Sequence, residues 1–267
     1  MSIDRAAGLI TIVLVTMVLL AISTRADEGE DTVTYRHANL RPVPHANVRI
    51  LEGFWKPIRD RSREVGVPDY LRKFEEHGYI DNFRYIIEGK EKSDHYGPNT
   101  DEFVYKLLEA MGWYAPESQR IRTLFGDLSD TVLAAQQPDG YLNSYYANPT
   151  IEQDRFQPDN RFEFYNYAHF TQAAIAHYRT TGNERLLNAS KRFGELILEK
   201  FSDPNDLPYK TYKGPVNHKY EHPNHELAMV EMWRLTGDER YRTVAREALA
   251  AFADAAERMG GEVAAYA

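Results

Sequence analysis

The sequence predicts an all-α protein, a toroid of helical hairpins, and three observations carry that prediction. Apolar residues recur at helical spacing through nearly every periodic stretch. A hairpin-turn sequence is repeated, and long polar loops separate the hairpins. Val104, Leu107, Leu108, Met111 and Tyr114 form one stripe, and Ile121, Leu124, Phe125, Leu128, Val132 and Ala135 the next. Phe164, Tyr167, Ala168, Thr171, Ala174, Ile175 and Tyr178 make a third. Leu186, Ala189, Phe193, Leu196 and Ile197 follow, and Tyr241, Val244, Ala245, Ala248, Leu249 and Phe252 close the series. Each stripe buries one helix face. Only Val48–Leu51 reads as a strand.

The repeat is Tyr178-Arg-Thr-Thr-Gly182-Asn-Glu-Arg185, which returns as Trp233-Arg-Leu-Thr-Gly237-Asp-Glu-Arg240. In both copies Gly ends a helix in the left-handed conformation and Asn or Asp caps the next one. Paired antiparallel helices joined this way, with long insertions between pairs, suit a ring whose loops surround a central hollow.

The first residues bear on compartment. Ala6 to Ile22 is uncharged and largely apolar, and Thr24-Arg25-Ala26 precedes an acidic stretch. This predicts a signal peptide over residues 1–26, cut after Ala26, and hence a secreted or periplasmic protein. The run also approaches the ~17–25 residues of a spanning helix, so an uncleaved anchor, and with it a membrane association, is the alternative. A polar linker over residues 27–47 leads into the folded part, residues 48–267, which is large enough for one sizeable core. A net charge of −8 lacks the basic footprint of a nucleic-acid binder. With no Cys, the chain offers neither a disulfide nor a thiolate nucleophile or metal ligand. Its 18 Tyr and 12 Phe fill cores, and they also suit stacking on sugars.

Candidate site residues sit in the loops and first turns. Gln137-Pro-Asp-Gly-Tyr-Leu-Asn143 is a Pro-Asp-Gly turn. His218, His222 and His225, with Glu221 and Glu226, lack the spacing of a zinc-protease helix, and a sugar-bonding His222 is the favoured reading. Pro223 marks a helix start, with His225 in its first turn. His169 reads as a buried, hydrogen-bonded imidazole, and Lys106 and Glu109 as a local ion pair. Asp101, Glu102, Asp139, Glu163 and Glu226 are the loop-proximal carboxylates from which a glycosidase-type pair could come, and spacing selects none. Asn188-Ala-Ser190 matches a glycosylation acceptor inside a helix, a chance match.

Taken together, the motifs resemble glycoside hydrolase family 127, the β-L-arabinofuranosidases. The landmarks run from Gly53-Phe-Trp-Lys56 through Asp81-Asn-Phe-Arg84, Val104-Tyr-Lys-Leu-Leu-Glu-Ala110 and Gln137–Asn143. They continue with Glu163-Phe-Tyr-Asn-Tyr-Ala-His169, Thr181-Gly182, His222-Pro-Asn-His-Glu-Leu-Ala228 and Thr236-Gly-Asp238. The resemblance implies part of an (α/α)6 barrel and hydrolysis of L-arabinofuranosyl or related plant-type glycans. It implies carbohydrate contacts at His222, Asp139, Tyr141 and Glu163. The family's His-Glu-x-Tyr segment reads Phe162-Glu163-Phe164-Tyr165 here, and its Gly-His-Pro reads Glu221-His222-Pro223. Its Asp-Ser-Asp reads Asp101-Glu102-Phe103. The family's zinc and Cys nucleophile come from a later part of the barrel, so no catalytic residue and no metal is expected within this chain. An incomplete barrel would also expose apolar helix faces along an open edge, where association is expected. A catalytically inactive sugar-binding or interaction protein is the alternative, mildly favoured by Phe162. A two-carboxylate enzyme of the same shape is a third reading.

Overall fold

A computed structural model describes residues 43–90, 97, 99–152, 155–156, 162–200 and 224–258. The signal-peptide segment, the loop over 201–223 with His218 and His222, and residues 259–267 lie outside the described residues. The chain divides into two units, Met1–Val48 and Arg49–Ala267. The described part of the first is a single 3-10 turn, His45–Asn47.

The second unit is helical. Helix α1 (Trp55–Arg61) runs through a π-turn, Ser62–Gly66, into α2 (Val67–Glu76). Pro68, just beyond that turn, has no N–H to offer the Glu64 carbonyl, and the Arg120 guanidinium reaches it instead at 3.4 Å. Helix α3 (Asp81–Glu88) ends at Gly89, whose φ of 63° closes it in the left-handed region. Three full hairpins follow: α4 (Asp101–Tyr114) with α5 (Gln119–Ala134), α6 (Phe162–Thr181) with α7 (Arg185–Lys200), and α8 (His225–Thr236) with α9 (Glu239–Arg258).

The turns inside the hairpins form as their residues dictate. Ser118 caps α5 by accepting from the Ile121 N–H at 3.3 Å. Gly182 (φ 71°) and Gly237 (φ 73°) take the left-handed conformation. Asn183 Oδ1 then accepts from the Arg185 N–H and Asp238 Oδ1 from the Arg240 N–H, at 2.9 and 3.0 Å. Both copies of the repeat thus end one helix and cap the next in the same way.

Helices α4, α6 and α8 form an inner row and run in one direction. In their N-terminal halves Lys106 meets Tyr165, and His169 meets Asn224, the residue before α8. Further along, Thr180 Oγ1 donates to the Gly112 carbonyl and Arg179 pairs with Glu231. A Cβ at Gly112 would stand 3.2 Å from the His177 backbone N, so the glycine lets α4 and α6 approach closely. Helices α5, α7 and α9 back this row. Between the layers lie Leu108, Met111, Phe125, Tyr167, Phe170, Phe193, Met229 and Met232, all buried. The combined α1–α2 run lies antiparallel to α4. Arg59 and Arg63 bind Glu117 past the end of α4, whereas Phe74 and Tyr79 pack on Phe103 at its start.

The architecture is therefore an arc of an α/α toroid. One expectation fails: no strand forms among the described residues, and Arg49–Leu51 is exposed and belongs to no regular element, with no strand beside it to complete a ladder. No helix among the described residues is long and apolar enough to cross a membrane. Trp55, Ile58 and Val65 line an exposed face of the first helical run, at 64%, 46% and 56% exposure.

Candidate functional site

The connections entering α4, α6 and α8 are the long ones, while those leaving them take two to four residues. Each inner helix therefore begins at the end of a long connection, the position at which a scaffold presents functional loops. The side of the inner row turned away from α5, α7 and α9 is marked by incompletely buried residues at helical spacing. These are Phe103, Lys106, Ala110 and Trp113 on α4, Tyr165, Gln172 and Arg179 on α6, and Leu227, Glu231 and Arg234 on α8.

Near the mouth, this face carries a polar network crossing all three helices. Lys106 Nζ donates to Glu102 Oε2 at 2.8 Å and to Tyr165 Oη at 3.1 Å. Burial works against the ammonium, but those hydrogen bonds outweigh it and hold the Lys106 pKa above its ordinary value, so it stays charged. His169 Nε2 lies 3.8 Å from Glu102 Oε2. The Asn224 amide meets His169 at 3.0 Å, and Gln172 donates to Asn224 Oδ1 at 3.4 Å. The Tyr165 ring stands edge-on to the His169 ring, centroids 4.6 Å apart.

Lys106 was expected to pair with Glu109, and the structure corrects this. Positions i−4 and i+3 are both in reach on a helix. Glu102 wins Lys106, and Glu109 instead accepts from Trp113 Nε1 at 3.3 Å, with burial raising its pKa. His169 is the buried, hydrogen-bonded imidazole the sequence suggested.

A second group of acids pins the loop between α5 and α6. Asp101, buried at the start of α4, accepts from the Ser144 N–H at 2.6 Å and from the Ser144 hydroxyl. Burial pushes its pKa up to about 6 despite the hydrogen bonds from Ser144 and Tyr105. Glu163 is fully buried. It accepts from the Tyr141 hydroxyl and, through both oxygens, from the Phe156 N–H at 3.0 and 2.9 Å. Phe156 has a φ of 56°, rare for a bulky residue, so Glu163 holds a strained corner in place.

Two of the residues expected to contact sugar occupy the same scaffold. Tyr141 is fully buried, with Arg155 stacked on its ring at 4.1 Å and Phe156 and Phe193 against its edges. Burial, then the neighbouring Glu163 carboxylate, raises its pKa well above the ordinary tyrosine value. Asp139 closes its own turn by accepting from the Tyr141 N–H at 3.0 Å and pairs with Arg155 at 3.3 Å. That turn rests on α7, where a Cβ at Gly140 would meet the Arg192 carbonyl oxygen at 2.7 Å. Asp139, Tyr141 and Glu163 thus share one cluster behind the mouth, separate from the Lys106–Tyr165 face. His222 lies outside the described residues. Its neighbours His225 and Glu226 occupy the first turn of α8, both buried, with His225 Nε2 3.3 Å from Glu226 Oε1. Burial pushes the His225 pKa down to about 4.

Two further features bear on ligand binding. A cleft of about 450 Å³ opens beside the turn after α4, lined by Arg49, Lys56, Arg59, Arg63 and Glu117 among others. Most of its cations are committed, Arg59 and Arg63 to Glu117 and Lys56 to Asp60. The sequence has no Cys to supply a thiolate ligand, and among the described residues no three His, Asp or Glu converge to hold a metal.

Comparison with known proteins agrees with this architecture. The catalytic-domain profile of the glycoside hydrolase family 127 β-L-arabinofuranosidases matches residues 47–253. The non-reducing end β-L-arabinofuranosidase of Bifidobacterium longum subsp. longum is 26% identical over 227 residues, spanning 75% of this chain and 33% of that enzyme. Among solved structures, the family-127 β-L-arabinofuranosidase Ara127N-Se from Geobacillus stearothermophilus T6 superposes with a TM-score of 0.64 at 27% identity. That match covers 80% of this chain and 35% of the other. Another family-127 β-arabinofuranosidase gives 0.63 at 28% identity, covering 78% and 33%. The chain spans about a third of the length of each. With its parallel inner helices and backing outer layer, the chain belongs to glycoside hydrolase family 127, whose catalytic domain is an (α/α)6 barrel.

Proposed function

We propose that this chain forms a glycan pocket for L-arabinofuranosyl units within a family-127 glycoside hydrolase, supplying substrate contacts and not the nucleophile. The observation that carries the reading is the gathering of Glu102, Lys106, Tyr165, His169 and Asn224 at the inner-helix N-termini. Hydrogen-bonding groups of alternating donor and acceptor character, flanked by aromatic rings, suit a neutral polyhydroxylated ligand. The relatives' activity on β-L-arabinofuranosides supports the choice of sugar. Export through the N-terminal apolar segment belongs to the same reading, as does association along the exposed Trp55–Ile58–Val65 face.

The second reading is sugar binding without turnover, and a specific observation favours it. No Cys is present for the family's nucleophile, and Phe162 stands where the family has a sugar-contacting His. One experiment separates the two. The purified chain is titrated with methyl β-L-arabinofuranoside by NMR and assayed on an aryl β-L-arabinofuranoside. Saturable binding with hydrolysis supports the enzyme, and saturable binding without hydrolysis supports the binding protein. The absence of both refutes the glycan pocket.

A further inference from the structure

The cleft beside the turn after α4 keeps a cation that the protein does not neutralise. It lies at the far end of the 14-residue α4, about 20 Å from the helix start at about 1.5 Å per residue. Arg63 is used up there, because its Nε donates to Glu64 and its terminal nitrogens to Glu117 and Asp60. Arg59 binds Glu117 through both terminal nitrogens, and Lys56 gives one of its three N–H groups to Asp60. Arg49 is exposed, and among the described residues no carboxylate or other acceptor engages it. Four cations thus line the cleft against two carboxylates, on a chain whose net charge is −8.

The rest of the lining is apolar and exposed, supplied by Ile50, Leu51 and Pro116. The volume of about 450 Å³ lies within the roughly 300–1,000 Å³ of small-molecule sites. A ligand that matches both walls carries a carboxylate on a C–H surface. The Arg49 fork fits the two oxygens of a carboxylate, and Lys56 has N–H groups left to share it. Asp60 accepts one hydrogen bond on each oxygen, from Lys56 and Arg63, and each oxygen has a lone pair left for a hydroxyl donor. An inorganic anion would leave the apolar wall unfilled, and an acidic peptide side chain brings no hydroxyl for Asp60. We propose that this cleft is a subsite for a uronate, a glycosyl unit bearing a carboxylate. Arg49 and Lys56 bind the carboxylate, Asp60 a hydroxyl, and Leu51 and Pro116 the C–H face. The cleft stands apart from the Lys106–Tyr165 face of the arabinofuranosyl pocket and does not depend on it.

The test uses the full chain and NMR titration with trigalacturonate and with its fully methyl-esterified form, the same sugar without the charge. Trigalacturonate should bind saturably and move the amide signals of Ile50 and Leu51, and the ester should bind about tenfold more weakly or worse, as loss of a charged hydrogen-bond partner requires. Arg49→Gln should weaken trigalacturonate by about tenfold and narrow its advantage over the ester. Arg49 engages no other group, so this variant should melt as the parent does, and Lys56→Gln, expected to act in the same direction, serves if it does not. Equal binding of acid and ester overturns the inference, as does undiminished binding by both variants. Displacement of trigalacturonate by equimolar triglutamate or sulfate overturns it too, since the cleft would then hold any anion. A chain that binds methyl β-L-arabinofuranoside but not trigalacturonate overturns the uronate subsite alone, and the reverse result overturns only the arabinofuranosyl pocket.

Discussion

Replacing His177 by Phe should remove most of one component of this protein's acid sensitivity. His177 lies near the end of α6, only 8% exposed, with its ring stacked on Phe125 at a centroid distance of 4.1 Å. Its Nδ1 is buried without a hydrogen-bond partner. Burial pushes the imidazole pKa from 6.5 down to about 4. Between those values the unfolded chain binds a proton that the folded chain refuses. The stability contribution is thus complete above pH 6.5 and drains away as the pH falls towards 4. At 1.36 kcal/mol per pKa unit the loss reaches at most about 3 kcal/mol at pH 4, and about 2 kcal/mol at pH 5. A Phe ring keeps the stack on Phe125 and cannot be protonated. Urea unfolding of both proteins at pH 7.5 and pH 5 isolates the effect, since every other titrating group cancels in the difference. The variant should gain about 2 kcal/mol on the parent between the two pH values. A difference that does not change with pH would refute a buried, proton-refusing His177.

Two further substitutions test the scaffold behind the mouth. Gly140→Ala meets both a φ of 95° and the Arg192 carbonyl oxygen at 2.7 Å, so it should cost about 2 kcal/mol or more in a thermal melt. A neutral result would mean that the Pro-Asp-Gly turn does not rest on α7. Glu163→Gln replaces a buried acceptor of the Tyr141 hydroxyl and the Phe156 N–H, and should cost about 1.5–3 kcal/mol. Amide exchange should quicken at Phe156, and an unaltered melt and exchange pattern would remove Glu163 as the anchor of that strained corner.

Much of the fold was legible because helices are local objects. The stripe from Val104 to Tyr114 and the paired Gly182-Asn183 and Gly237-Asp238 turns involve residues within a few positions of each other, and all formed as read. The site was less legible. The same spacing rule that allows Lys106 to pair with Glu109 also allows Glu102, and only the position of Trp113 and the neighbouring α6 decides between them. Asp139, Tyr141 and Glu163 stood out as motif residues, but their sequence positions do not reveal that they bond to one another and to Arg155 and Phe156. Asn224 stood inside the His222–Ala228 motif, but nothing there pointed to its link with His169, which spans 55 positions.

By itself, the sequence determined the helices, their hairpin turns, the acidic charge, the lack of any thiol and the family. The first four follow from composition or from interactions a few residues long, and the family from the resemblance carried by the order of motifs along the chain. Tertiary structure alone decided which side chains meet across α4, α6 and α8, and which carboxylates anchor loops rather than face the hollow. Those choices depend on the parallel packing of three helices far apart in the chain. The distances that set hydrogen bonds and desolvation do not exist until that packing forms.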